Sequence, residues 1–376
     1  MAEGDGDRAA GHKTLPYEPG SGLTGLMSDT TLQIVLSALA AVLLSWVAVW
    51  PLRALGPRWG FVDVPNQRSS HERPTPRAGG LAFAVVSPAV ALLASRWTSV
   101  PLPDGSTALL AGSALVAATG LADDRWGLTV RVRFAAYVAA AAVLMAGAGY
   151  LDGLEWPDGP TMPLGWLGIP VTLLWIVGLT NAYNFMDGID GIAAVQAVVA
   201  AGTVSLLSLG RGDAGLAMYT AALAGGALGF LLHNWPPARI FMGDVGSAFL
   251  GYTFAGLAVL SGGGTGGALP FAIWLILLGP FLFDSSLTLV LRIARGERWY
   301  EPHRQHLYQR LVRRGWSHLA VTSVYLCADL FLAALVLAHF SLGLGFVAVA
   351  VLTAVPLLGI LGLVRRVEAR ALSRGL

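Results

Sequence analysis

Charged residues are scarce in this chain. Asp, Glu, Lys and Arg make up 12% of its 376 residues, about half the share of a soluble globular domain. That argues against a fold presenting water-facing surface on all sides. Cysteine is almost absent. The single one, Cys327, lies inside an apolar run, which excludes a disulfide framework and a cysteine metal centre. Long polar inserts are missing as well: the connections between apolar runs reach about 27 residues at most.

What fills the chain is hydrocarbon. Hydrophobic residues make up 55% and the mean hydropathy is +0.65. Apolar runs recur at 30–52, 79–95, 106–122, 134–150, 163–180, 189–209, 214–232, 246–261, 268–291, 319–339 and 342–364. Each is long enough to cross a bilayer as a helix. The reading is an all-α, polytopic integral membrane protein with about 11 transmembrane helices and its active site on the cytoplasmic face. Residues 1–29, rich in Gly, Asp and Ser, read as a disordered tail, 30–364 as one transmembrane domain, and 365–376 as a basic cytoplasmic tail. The first run lacks a small-residue cleavage site and reads as a span, not a signal peptide.

Basic residues orient the spans. Of 24 Lys and Arg, 20 fall in the odd-numbered connections and the C-terminal tail, against Arg96 and Arg211 in the even-numbered ones. The positive-inside rule places the odd connections and the C-terminus in the cytoplasm and the N-terminus outside. A multi-pass protein of the cell's inner membrane is expected.

The odd connections also hold the chemistry. Leu179–Ala193, L-T-N-A-Y-N-F-M-D-G-I-D-G-I-A, spaces Asn181, Asn184, Asp187 and Asp190 three apart, with Gly188 and Gly191 beside the acids. On a helix such positions are neighbours, and acids at a membrane edge are functional candidates; a polar turn is the plainer reading. The loop from Val62 to Ala82 carries Arg68, His71, Arg73 and Arg77 ahead of Gly79 and Gly80. An arginine beside a helix N-terminus suits a phosphate, although a basic loop can merely set topology. Gly120–Arg133 holds the adjacent pair Asp123 and Asp124, followed by three arginines. Adjacent carboxylates repel unless a cation, a shared proton or an ion-pair turn relieves them. In Leu231–Gly251, Pro236 and Pro237 end a helix and Asp244 opens the next span, as an N-cap or as a metal ligand. The ninth span contains Pro280, expected to kink it, and Asp284, a candidate partner for a neighbouring span. In Arg292–His318, Pro302 and Gly315 bracket a predicted short basic helix with His303, His306 and Arg310 on one side. Clustered carboxylates and amide oxygens favour Mg2+ or Mn2+ over zinc, and arginines suit phosphate. Together they point to phosphoryl-type transfer between a soluble phosphate-bearing substrate and one delivered by the membrane.

The segments D-V-P-N-Q-R-S-S-H-E-R-P-T-P-R-A-G-G, L-A-D-D-R, N-A-Y-N-F-M-D-G-I-D-G, N-W-P-P-A-R-I-F-M-G-D-V-G-S and H-R-Q-H-L-Y-Q-R occur in this order over residues 30–364. They resemble those of the polyprenyl-phosphate N-acetylhexosamine-1-phosphate transferases (glycosyltransferase family 4). The resemblance implies transfer of N-acetylhexosamine-1-phosphate from a UDP-sugar to undecaprenyl or a similar polyprenyl phosphate, releasing UMP, with Mg2+ (or Mn2+). It implies Asp123, Asp124 and Asp244 as catalytic residues and Asp244 and Asn184 as metal ligands. Asn181, Asn184, Asp187, Asp190, His303, His306, Arg77 and Arg304 fall to substrate binding. The partners implied are a UDP-N-acetylhexosamine, a polyprenyl phosphate and the lipid bilayer, without nucleic acid; a homodimer is left open. The triple-histidine run of the MurNAc-pentapeptide enzymes is absent here. The expectation is therefore a simple sugar, UDP-GlcNAc or a 6-deoxy relative, starting O-antigen or similar lipopolysaccharide or cell-envelope glycan. The alternatives are a phospho-MurNAc-pentapeptide transferase and, in another class, a transporter. A transporter predicts acids spread through the membrane and repeated halves; here they cluster on one face.

Overall fold

A computed structural model describes residues 29–63, 74–262, 269–298 and 304–373. The N-terminal tail, His71, Pro302 and His303 lie outside them. Helices α1 (Asp29–Leu55), α2 (Gly80–Thr98), α3 (Ser106–Trp126), α4 (Val130–Ala148), α5 (Gly168–Met186), α6 (Ile192–Gly210), α7 (Ala214–Asn234) and α8 (Asp244–Gly262) follow one another. After them come α9 (Phe271–Leu277), α10 (Gly279–Ala294), the short α11 (Leu307–Arg313), α12 (His318–Leu342) and α13 (Phe346–Ser373). Two antiparallel ladders of two-residue strands, Val62–Asp63 with Thr75–Pro76 and Gly153–Leu154 with Met162–Pro163, are the strand structure among the described residues. Ten helices are long and apolar enough to span a membrane, eleven when α9 and α10 count as one bent span.

The bundle is built around α7 and α8. Its most apolar 18 residues are 94% buried within the protein for α8 and 83% for α7, against 17% for the peripheral α13. Helices α3 and α5 flank α8, while α1, α2 and α6 flank α7. Small residues allow this closeness. A Cβ on Gly225 or Gly229 would run into the Ala38 or Val42 carbonyl of α1, the small-xxx-small packing of membrane helices.

Three features differ from the sequence expectation. The ninth run, expected as one kinked span, breaks at Leu278 into α9 and α10, which meet at 79°. Pro280 sits in the first turn of α10, where a missing N–H costs nothing. The fifth run extends to Met186, so Asn181 and Asn184 are helical, but the helix stops there and Asp187 and Asp190 follow in a turn. The four polar residues therefore do not share one helical face. Gly191, at φ +78°, adopts a backbone conformation suited to glycine at that turn. The loop helix α11 begins at Leu307, after its cap His306, and the described residues 304–306 ahead of it are not helical; Gly315, at φ +86°, follows its end as expected. Helix α13 runs on through Arg365 to Ser373.

Candidate active site

The end of α3, the starts of α2, α4 and α8 and the end of α5 lie at the same end of the bundle. They bring Arg77, Asp123, Asp124, Arg133, Asn184 and Asp244 together. Asp124 is buried. Its two carboxylate oxygens accept the first backbone N–H groups of α8, from Asp244 (2.9 Å) and Val245 (3.1 Å). The Arg77 guanidinium lies 2.5 Å from the same carboxylate and 3.8 Å from Asp244. Asp123 accepts the Leu128 N–H and pairs with Arg133 at 2.8 Å. Arg133 reaches on to Asp244 at 3.3 Å. Asp244 is thus held between two arginines, each shared with one member of the Asp123–Asp124 pair.

Asp244 opens α8 but does not cap it; the cap comes from Asp124. Its own carboxylate accepts from Arg133 (3.3 Å), lies 3.8 Å from Arg77 and is approached by the Asp123 side chain; at 21% exposed it is the most open of the three acids. The Asn184 side chain approaches Asp244 and bonds to Ser247 Oγ at 2.9 Å. Asp187 completes the acidic wall. Burial, followed by the nearby Asp244 and Asp124, holds its carboxyl well above the usual carboxylate range. Burial works to lower the Arg77 pKa, but Asp124, Asp244 and other acids outweigh it and raise it.

Backbone-to-backbone contacts lock this end. Gly79 and Gly80 donate to the Phe241 and Met242 carbonyls (2.9 and 2.8 Å), and Phe241 donates back to Pro76 (2.8 Å). The first amides of α2 are therefore used by the 241–242 segment and not held open for a phosphate. Arg77 itself faces the carboxylate cluster.

Other predicted residues are placed elsewhere. Asp190 accepts the Ala238 N–H (2.9 Å) and sits 3.2 Å from His318 Nδ1, while its carbonyl accepts the Thr322 hydroxyl (2.7 Å). It ties the D-G-I-D-G turn to the loop before α8 and to α12. Asn181 donates back to the Val177 carbonyl of its own helix. His306 is buried and turned to Asp284 (3.2 Å), and Arg304 lies half-buried just before it. Asp284 also accepts the Leu307 and Tyr308 amides and the Tyr325 hydroxyl, so it anchors α11. The Tyr308 hydroxyl in turn donates to the Phe185 carbonyl (3.0 Å), beside Asn184. A Cβ on Gly188 would collide with that hydroxyl, which accounts for the glycine.

Sequence reasoning had not assigned Arg133, Ser247, Tyr308 or His318 to the site. Arg133 had a signal in the arginines after the aspartate pair, but nothing local separates it from Arg125 and Arg131. The others become visible only once distant helices meet.

Chemically, the cluster offers hard oxygen donors, with Asp244 and Asn184 foremost and Asp123 and Asp187 nearby, beside two guanidinium groups. Among the described residues, no three acidic or histidine side chains enclose a cation on their own. A hard divalent ion held by one or two carboxylates that completes its shell with water and phosphate oxygens fits such a donor set.

Comparison with known proteins places this geometry. Residues 106–262, which include Asp123, Asp124, Asn184, Asp187 and Asp244, match Glycosyl transferase family 4. The chain is 30% identical over 308 residues (81% of this chain, 85% of the relative) to a Bacillus subtilis (strain 168) protein described as a probable undecaprenyl-phosphate N-acetylglucosaminyl 1-phosphate transferase. It is 33% identical over 328 residues (78% and 79%) to the decaprenyl-phosphate N-acetylglucosaminephosphotransferase of Mycobacterium tuberculosis (strain ATCC 25618 / H37Rv). To the phospho-N-acetylmuramoyl-pentapeptide-transferase of Synechococcus sp. (strain RCC307) it is 34% identical over 337 residues (81% and 88%). The chain is a multi-pass membrane protein that belongs to Glycosyl transferase family 4, among the polyprenyl-phosphate N-acetylhexosamine-1-phosphate transferases.

Proposed function

We propose that this protein transfers N-acetylglucosamine-1-phosphate, or a 6-deoxy relative, from its UDP-sugar to a polyprenyl phosphate such as undecaprenyl phosphate at the cytoplasmic face of the membrane. One observation carries the reading: Asp244, the most exposed carboxylate of the cluster, stands between Arg77 and Arg133 beside Asn184 and the Asp123–Asp124 pair. In the reaction, an oxygen of the lipid phosphate forms a bond to the β-phosphorus of the UDP-sugar. The bond from that phosphorus to the bridging oxygen breaks, and UMP leaves with the electron pair.

Mg2+ fits the donor set: Asp244 and Asn184 would hold it, and once bound it would supply neutralisation of diphosphate charge. Arg77 and Arg133 are within reach of Asp244 and suit bidentate contact with phosphate oxygens as they enter. Asp123, whose oxygens face the Leu128 amide and Arg133, takes the proton from the lipid phosphate in this reading. Positioning and charge neutralisation carry most of such a transfer. Asp187 lines the nucleotide-sugar side. Asp190, His306 and Arg304 serve it from outside, by fixing the loops around it.

Two of the relatives above are named for N-acetylglucosamine transfer, and this chain lacks the triple-histidine run associated with the pentapeptide substrate. The test is purified protein with undecaprenyl phosphate and a panel of UDP-sugars, followed by UMP release. UDP-GlcNAc or a 6-deoxy UDP-N-acetylhexosamine should turn over fastest. A higher kcat/KM for UDP-MurNAc-pentapeptide than for every simple sugar would refute the sugar assignment.

A further inference from the structure

The two adjacent aspartates differ in what they hold. Asp124 is buried, and both its oxygens are occupied: one by the Asp244 amide and Arg77, the other by the Val245 amide. Those amides are the first two donors of α8, groups that no intrahelical carbonyl can satisfy. The backbone around this contact is cut to fit. Gly120, one turn before Asp124 on α3, faces the Asp244 carbonyl so closely that a Cβ would collide with it. Gly243, at φ +74°, would bring a Cβ against the Asp124 carboxylate and the Ala78 nitrogen. Asp123, one residue earlier, has other partners than the α8 amides: the Leu128 N–H, Arg133 and the Asp244 side chain.

An aspartate at a helix start ordinarily folds its side chain back onto its own helix as a cap. Asp244 is spared that role because α3 supplies the cap across 120 residues of chain. We infer that Asp124 is a positioning residue: it caps α8 from outside, fixes where that helix begins, and so leaves the Asp244 carboxylate free to face substrate. The pair then divides its labour, with Asp123 addressing the lipid phosphate and Asp124 addressing the protein. This rests on the role proposed above for Asp244.

The experiment uses the full-length protein in detergent or nanodiscs, with Asp124→Ala and Asp124→Asn. Hydrogen exchange is read at the first-turn amides of α8, residues 244–247, and Mn2+ affinity by electron paramagnetic resonance without substrate. Asp124→Ala should speed exchange there roughly ten-fold, the scale of a lost helix cap, and weaken Mn2+ by a similar factor. Asp124→Asn keeps one acceptor oxygen and should fall between, and it carries the test where the alanine variant does not fold. Both variants should lower kcat while the KM for undecaprenyl phosphate stays within about two-fold. Asp244→Asn, by contrast, should abolish Mn2+ binding and leave α8 exchange as it was. Unaltered α8 exchange in both Asp124 variants, or a raised lipid KM with exchange unaltered, would overturn the inference. Failure of Mn2+ to bind the unaltered protein would count against the metal reading alone, since exchange reports on Asp124 without any metal.

Discussion

Removing Asp284 should release the loop helix α11 and lower activity from a distance. Asp284 lies inside the bundle on α10 and is 1% exposed. It accepts the Leu307 amide at 2.8 Å, the Tyr308 amide at 3.3 Å and the Tyr325 hydroxyl at 2.6 Å, with Thr288 and His306 at 3.2 Å. In Asp284→Ala, the Thr288 hydroxyl can turn to its own helix carbonyl. The two amides and the tyrosine have no such alternative. Each buried donor left unsatisfied costs about 1–3 kcal/mol, so holding α11 in place would cost about 3–9 kcal/mol. A seven-residue helix cannot sustain itself in water, and loops sit at the low end of local stability. Undocking is therefore the cheaper outcome, and the global melting temperature should fall less than the full cost implies. Undocking would also free the Tyr308 hydroxyl from Phe185 and loosen the turn that carries Asp187. Hydrogen exchange should show lost protection over 307–313, with a parallel fall in UMP release, and Asp284→Asn should show a smaller loss of both. Native protection of α11 in Asp284→Ala would refute the anchoring argument.

Asp244→Asn should keep the fold, because Asp124 and not Asp244 caps α8, while activity falls by roughly 10²–10³, the usual worth of one well-placed electrostatic group; near-normal turnover would refute the assignment, and full activity in EDTA would refute the metal. In a background with Cys327 replaced, a cysteine at Arg211 should label in intact cells with an impermeant reagent and one at Arg313 should not; both positions are exposed, so the reverse pattern would invert the topology. Asp187 has a folded pKa raised by burial and by neighbouring acids, so its contribution to stability is greatest at low pH and is lost as pH rises through that raised value. Metal-free Asp187→Asn should therefore melt above the unaltered protein at pH 8, with the gap closing toward pH 4; a variant that melts lower at pH 8 would contradict the sign.

The spans were legible because the bilayer imposes one length on every helix that crosses it. Helix ends were less so. The chain through Asn181 and Asn184 is polar enough to look like a loop, yet α5 runs on to Met186, because helical backbone satisfies its own polar groups wherever it lies. The nine-residue run ahead of Asp187 gives no sign that the helix will stop before the second acid; the stop depends on Gly191 and on Asn234, which accepts the Gly191 amide from another span. The break at Leu278 was mislocated as a simple kink for a similar reason. Proline marks where a helix can begin as well as where one bends, and a single chain of apolar letters does not distinguish the two.

Composition and spacing identified which acids gather, but not what each one does. Asp123 and Asp124 are neighbours in sequence with the same chemistry, so no local pattern separates them. They lie 100° apart around α3, and that rotation turns one toward Arg133 and the other under the start of α8. Asp284 and Asp190 pose the same problem in reverse. An acid near a membrane edge is costly, and each meets that cost with protein donors: α11 amides for Asp284, Ala238 and His318 for Asp190. The acid proposed to face substrate is the most exposed of the three in the cluster. Asp244, with arginines at 3.3 and 3.8 Å and Asp123 and Asn184 beside it, is set apart by its residual exposure, a property of the assembled bundle that exists only once helices distant in sequence have met.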